Sequence, residues 1–241
     1  MPEKEIVPKK IVSLTPALTE ILFALELGQR VAAVTDSCDY PVKVKDWPHV
    51  ACWFDPDMEK LLDLKPDLVL GLKTAHHQLI PQLESEGIRV ILVNPITVDE
   101  AIIDMARIGE LLGARKKAEN LVANLSVRLS ALDARVSAIP KESKMTVLRI
   151  LDLEDDRLYV AGPLSFQYDV ISRAGGQNVS GSILKAYPKI TLTRLLEWNQ
   201  QMVFSCGFDL NSMPSIVYKP EWRSLKAVQS GNVFRFDCGL T

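Results

Sequence analysis

At 241 residues, 47% hydrophobic and 24% charged, the chain has the size and composition for two folded lobes with real cores. A formal net charge of −2 and a pI near 6.0 leave no electrostatic reason to expect nucleic acid or an anionic membrane as partner. No apolar run approaches the roughly 20 residues that span a bilayer, and Cys38, Cys52, Cys206 and Cys238 form no CxxC pair that would support a zinc knuckle or a thioredoxin-type centre.

The N-terminus, MPEKEIVPKK, is polar and has no apolar signal core, so either the protein is cytosolic or an export signal lies outside this sequence. Lys9–Leu14 is expected to form a strand, broken by Thr15-Pro16, with a helix over Leu18–Leu27. A strand over Val31–Thr35 runs into the turn Asp36-Ser37-Cys38-Asp39-Tyr40-Pro41, and a Pro- and Trp-containing loop follows to Pro56. Asp57 caps a short helix, Met58–Leu64. Asp67–Leu72 and Ile88–Asn94 read as buried strands around a helix at Gln78–Glu86, and Thr97 with Glu100 forms a capping box for a helix to Leu112. Short continuous apolar strands separated by helices indicate a parallel sheet covered on both faces.

Ala114–Ile139 lies between Gly113 and Pro140 with neither residue type inside. Ala118, Leu121, Val122, Leu125, Leu129, Leu132 and Val136 recur by threes and fours, one face of a helix roughly 39 Å long. The expected organisation is therefore an α/β lobe over 1–113, a connecting helix over 114–139 and a second α/β lobe over 140–241, with any ligand in the cleft between the lobes. The second lobe opens with a strand at Met145–Leu153. A strand end and Gly-Pro turn follow in Arg157–Phe166, then a helix over Phe166–Ala174 stopped by Gly175-Gly176, and a last strand at Asn232–Phe236.

An internal repeat links the lobes. WFDPDMEKLLDLKPDLVLG, from Trp53, aligns without gaps on YPKITLTRLLEWNQQMVFS, from Tyr187, so that Leu61-Leu62 falls on Leu195-Leu196 and Val69 on Val203. Trp53 and Tyr187 take equivalent places ahead of the helix, in connections of the kind where α/β sheets present ligands. An aromatic from each lobe suits a large, flat, partly apolar ligand, and Tyr40, Phe54, Tyr159 and Phe166 in comparable loops would widen that platform.

KKIVSLTPALTEILFAL, VTDSCDYP, WFDPDMEKLLDLKPDLVLG, YVAGPLSF…AGGQNV and AYPKITLTRLLEW together resemble the helical-backbone (class III) substrate-binding proteins of ABC importers. The set covers nearly the whole chain and is most similar to the cobalamin-binding branch. The resemblance implies two Rossmann-like lobes on one backbone helix, a corrinoid such as cobalamin as transported ligand, a membrane permease as partner, no intrinsic cofactor, a monomer, and a periplasmic or membrane-anchored extracytoplasmic location. It places Trp53, Tyr159 and Tyr187 against the ligand's ring, Asp237 at its polar edge and Cys38-Asp39-Tyr40 at the rim. It also implies permease docking through Glu59. The repeat mate of Glu59 is Thr193 where the family has an acid, with Glu197 one turn on as partial substitute. The chain stops at Thr241, where the family continues into a final helix, so a truncation or a further tail is expected.

Three other readings compete. A ferric-siderophore or haem receptor shares the same framework. A dedicated zinc or manganese receptor would need ligands from both lobes, but His49, His76 and His77 all lie in the first; His76 and His77 remain candidate axial donors to a bound macrocycle. A cytosolic corrinoid-handling or sensing protein is the alternative of another class. Catalysis is not expected: no GxSxG, HExxH, P-loop or GxGxxG occurs in context, and Glu154, Asp155 and Asp156 read as loop charges.

Overall fold

The computed structural model describes residues 7–154, 157–205 and 220–236. They belong to two units: the chain to Pro95 with Asp99–Ser126, and Ile96–Val98 with the chain from Val127 onward.

In the first unit, β-branched and aliphatic runs form β1 (Ile11–Ser13), β2 (Val31–Ala33), β3 (Leu68–Leu72) and β4 (Arg89–Val93). They pair in parallel in the order β2-β1-β3-β4. Between them run α1 (Pro16–Ala24), α2 (Met58–Asp63), α3 (Lys73–His76) and α4 (Ile80–Ser85), followed by α5 (Val98–Leu111) and the first half of α6 (Arg115–Ser137). Side chains alternate across the sheet. Ile11, Leu68 and Leu70 enter one core with Leu18 and Leu22 of α1, Ile108 of α5 and Ala118 of α6. Val12, Leu14 and Val69 enter the other with Leu61 of α2 and Leu83 of α4. The segment expected as one helix from Gln78 starts earlier and is broken: α3 and a 3-10 turn precede α4, whose first turn holds Pro81, a residue without an N–H to donate backwards.

Gly113, at φ +70°, turns α5 into α6. The two helices then approach so closely that a Cβ on Gly109 would collide with the Ala118 methyl. Along α6 all seven residues of the expected stripe are buried or half-buried, and every other position but Asp133 is exposed. Asp133 is held by a bidentate pair from Arg173, at 3.1 and 2.9 Å. At the opposite end of α5, the Val98 N–H donates to the Asp169 carboxylate at 2.8 Å, which satisfies an amide the helix cannot.

The second unit contains β5 (Thr146–Glu154), β6 (Arg157–Val160), α7 (Phe166–Arg173), β7 (Gln177–Asn178), β8 (Lys189–Thr191), α8 (Leu192–Trp198), β9 (Met202–Ser205), α9 (Lys226–Gln229) and β10 (Val233–Arg235). Its sheet runs β10-β9-β5-β6-β8, with β7 on the start of β5. It is mixed: β9 and β10 are parallel to their neighbours, whereas β6 is antiparallel to both β5 and β8. Sequence reading assigned no strand to β7 or β8, which at two and three residues are too short for an alternation to show.

The repeat extends to backbone detail. Helices α2 and α8 occupy aligned positions, with Asp57 and Thr191 as N-caps accepting the N–H of Lys60 and Arg194. Lys65 and Asn199 both adopt left-handed backbone, at φ 46° and 43°. Asp67 then accepts the N–H of Lys9 and Lys10 at 2.8 and 2.9 Å, as Gln201 accepts that of Thr146 at 2.9 Å. Each unit thus ties the start of its inner strand with the same device. Leu61 and Leu195 are both fully buried at the centre of this motif. Leu61→Ala and Leu195→Ala are each expected to lower unfolding free energy by about 3 kcal/mol in urea denaturation.

Candidate functional site

In the first unit the sheet order reverses between β1 and β3, the kind of switch point at whose C-terminal strand ends open α/β sheets bind ligands. Thr15 caps α1 directly after β1. A buried hydroxyl–thiol cluster then fixes the next loop: Thr19 Oγ1 donates to Ser13 Oγ at 2.8 Å, and Cys38 Sγ lies 3.3 Å from Thr19 Oγ1 and 3.4 Å from Thr35 Oγ1. This anchors the turn that carries Tyr40, 62% exposed. Tyr40 lines a groove of about 500 Å³ with Glu20, Ile21, Met105 and Leu125. Burial, and then the nearby Asp39 carboxylate, push the Glu20 carboxyl above its ordinary range.

The segment after β2 runs back along the strand end. Val34 N–H donates to the Pro48 carbonyl and Val50 N–H to that of Val34, and Ala51 at φ 65° folds the chain into a tight turn closed by Pro56. Trp53 and Phe54 project from it in edge-to-face contact, centroids 5.7 Å apart. Phe54 is 60% exposed, whereas Trp53 is half-buried with its ring 6.4 Å from that of His76.

His76 itself is buried. Its Nδ1 accepts the Leu72 N–H at 2.9 Å, so the proton sits on Nε2, which donates to the Trp53 carbonyl. Burial, only partly offset by the Trp53 bond, holds its pKa below the ordinary value of 6.5. Both nitrogens are therefore committed to backbone, and the expectation of His76 as an axial donor is corrected: it has no free lone pair for a metal. His77 is exposed and donates from Nδ1 to the Lys73 carbonyl, which leaves its Nε2 as the lone-pair nitrogen. Among the described residues no three His, Cys, Asp or Glu side chains gather as a metal site.

In the second unit a second aromatic surface forms where Ala161–Ser165 lies along Lys185–Pro188. Gly162 N–H donates to the Ala186 carbonyl at 2.8 Å, and a Cβ there would meet the Lys185 carbonyl and come 2.7 Å from Pro188 Cδ. Ser165, buried, caps α7 and donates back to the Gly162 carbonyl. Tyr187 is thereby held 49% exposed, its hydroxyl donating to Gln167 at 3.2 Å, while Phe166 at the start of α7 is half-buried. Leu164 and Leu184, 48% and 76% exposed, add apolar area that sequence reading did not pick out; the Gly-Pro turn was the available signal.

Tyr159 stands in a different set of contacts. Its hydroxyl donates to Glu154 at 3.0 Å, and Lys189 Nζ sits 4.8 Å from its ring centre and 2.6 Å from the same carboxylate. Asp237 lies outside the described residues, as do Cys206, Cys238, Asp155 and Asp156. Glu59 is exposed on the first turn of α2, whereas Glu197 on α8 is paired with Arg194 at 2.9 Å. No helix among the described residues is long and apolar enough to cross a membrane.

The model of the periplasmic binding protein family matches residues 11–238. The chain belongs to this family. Among similar proteins, an uncharacterized ABC transporter substrate-binding lipoprotein of Bacillus subtilis, YvrC, is 30% identical over 97% of this chain and 74% of its own length. A vitamin B12-binding protein of Yersinia pseudotuberculosis is 25% identical over 83% of this chain and 70% of its own. In fold, a periplasmic heme-binding protein of Pseudomonas aeruginosa superposes with a TM-score of 0.87 at 23% identity, covering 97% of this chain and 85% of that one.

The Lys189 and Tyr159 bonds pull the Glu154 carboxyl below its ordinary 4.5. Lys189→Met is expected to return its titration midpoint toward that value, as read by carboxyl NMR shifts against pH.

Proposed function

We propose that the chain is the extracytoplasmic substrate-binding component of an ABC importer, acts as a monomer, and takes a planar macrocycle, a corrinoid such as cobalamin first. The carrying observation is the pair of surface aromatics at repeat-equivalent positions. Trp53 with Phe54 in the first unit and Tyr187 in the second are each set on a backbone turn fixed by hydrogen bonds, with Phe54 and Tyr187 exposed and Trp53 half-buried. Rigid rings with few rotatable bonds contact a flat apolar ligand at low entropic cost. The relatives named above point to the same transport role.

One feature favours the corrinoid over haem. A cobalamin brings its own cobalt ligands, whereas haem iron is usually held by a protein side chain such as His or Tyr. The buried histidine beside Trp53 has both nitrogens on backbone. Permease docking is assigned to Glu59, exposed at the start of α2; its counterpart Thr193 is uncharged, and the neighbouring Glu197 is neutralised by Arg194. Docking electrostatics would then be concentrated on the first unit.

Calorimetric titration with cyanocobalamin, haem and a ferric siderophore in parallel tests the ligand class, with saturable one-to-one binding of cobalamin expected. Trp53→Ala and Tyr187→Ala should each weaken that binding by at least about 1 kcal/mol, roughly fivefold in Kd. Unchanged affinity in both variants would remove the aromatic assignment.

A further inference from the structure

His76 does more than fill the core beside Trp53. It lies just past the C-terminal end of β3, is 1% exposed, and joins two stretches of chain that are far apart in sequence. One nitrogen receives the last N–H of β3, from Leu72, and the other reaches the carbonyl of Trp53. The Trp53 ring then stacks edge-on to the imidazole. Space for the ring is made by Gly71, where a Cβ would come 2.7 Å from Nδ1. The position therefore needs a planar group with an acceptor on one side and a donor on the other, in a fixed order.

We propose that His76 is a positioning residue, a latch that holds the Trp53 turn on the end of β3, and that its protonation opens the latch. A second proton can only go on Nδ1, where it faces the Leu72 N–H, donor against donor. The imidazolium must leave that site, and the Trp53 carbonyl loses its partner with it. The bare ring is stable only while neutral, and burial keeps it neutral at ordinary pH. The unfolded imidazole titrates near 6.5 and the folded one below it. The latch is thus fully formed above the ordinary value and is lost as pH falls through the depressed one.

The groups around it do not supply an alternative switch. In β3 the ring meets Gly71 and backbone, and Leu92 of β4 lies against the same glycine. Arg89, the charged residue of β4, pairs with Leu68 at the far end of the sheet from Leu72. Lys73 on α3 and His77 just after it are exposed, as is Asp55 on the Trp53 turn, while Cys52 there is half-buried. The lowered pKa of His76 comes from burial, which its two backbone bonds oppose in part, and no charged side chain is among its causes.

The consequence for ligand binding rests on the proposed role of Trp53, so the test has two arms. In the first, ligand-free protein is titrated from pH 8 to pH 5, and Trp53 emission is isolated by subtracting a Trp53→Phe variant. The wild type should show one transition below pH 6.5; His76→Gln, which keeps a donor near Nε2 and does not titrate, should show none. Gly71→Ala should give the acid-like spectrum at neutral pH. In the second arm, affinity for cyanocobalamin should fall about tenfold per unit below the transition in wild type and stay flat in His76→Gln. His76→Asn, which retains only the Leu72 acceptor, should bind weakly at every pH. A Trp53 signal that titrates alike in wild type and His76→Gln, or in neither, overturns the latch. A fluorescence transition with no cobalamin binding leaves the latch standing and refutes the ligand reading instead.

Discussion

The first unit depends on the parallel seam between β1 and β3. At its start, Asp67 gathers the Lys9 and Lys10 amides, so the two strands enter the sheet in register. At its finish, the strands hand over to Thr15 and α1 on one side and to His76 on the other. The seam therefore has a polar lock at both ends and apolar packing on both faces. A carboxylate can serve at the open edge because water still reaches it, whereas the buried end requires a neutral ring with directed nitrogens. The second unit repeats the entry lock with Gln201, an amide in place of a carboxylate, and ends its central strand against antiparallel β6 instead. That difference gives the two units unlike surfaces from a like framework.

Each surface carries one exposed charge in its own turn, Asp55 in the first unit and Lys185 in the second. The aromatic turn of the first unit is shaped by backbone hydrogen bonds, and Tyr187 is oriented by a neutral amide. Beyond Lys185, Glu154 and Lys189 pair with one another against Tyr159. Such surfaces recognise area and shape more than net charge, which is consistent with a large conjugated ligand and less so with a bare ion.

What was legible in the sequence was local. The stripe of α6, the Asp57 cap and the repeat follow from period, capping residues and alignment within short windows. The strands of the first unit are placed by the same signals, but β4, expected to be buried, is the edge strand, with Arg89 exposed and the next three residues only half-buried. Much of what was not legible is decided between distant segments. Strand β8 exists because Lys189–Thr191 finds β6, and its three residues carry no period of their own. Tyr159 is drawn to Glu154 and Lys189 by cross-strand neighbours that only the antiparallel register brings together. The role of His76 was misjudged because its partner, the Trp53 carbonyl, is a backbone atom that no side-chain pattern reveals. The glycine five residues earlier, which makes room for the ring, was the single available hint.

The chain passes from one unit to the other three times: after Pro95, after Val98 and after Ser126. The short first excursion is pinned, since the Val98 amide is bound by Asp169. Cutting the backbone in the middle of α6 would therefore not yield two free halves. The N-terminal piece would still carry Ile96–Val98, a three-residue hook whose seat belongs to the other piece. A split version of this protein comes with its own reassembly contact, and genuinely separable halves would require relocating that hook as well as severing the helix.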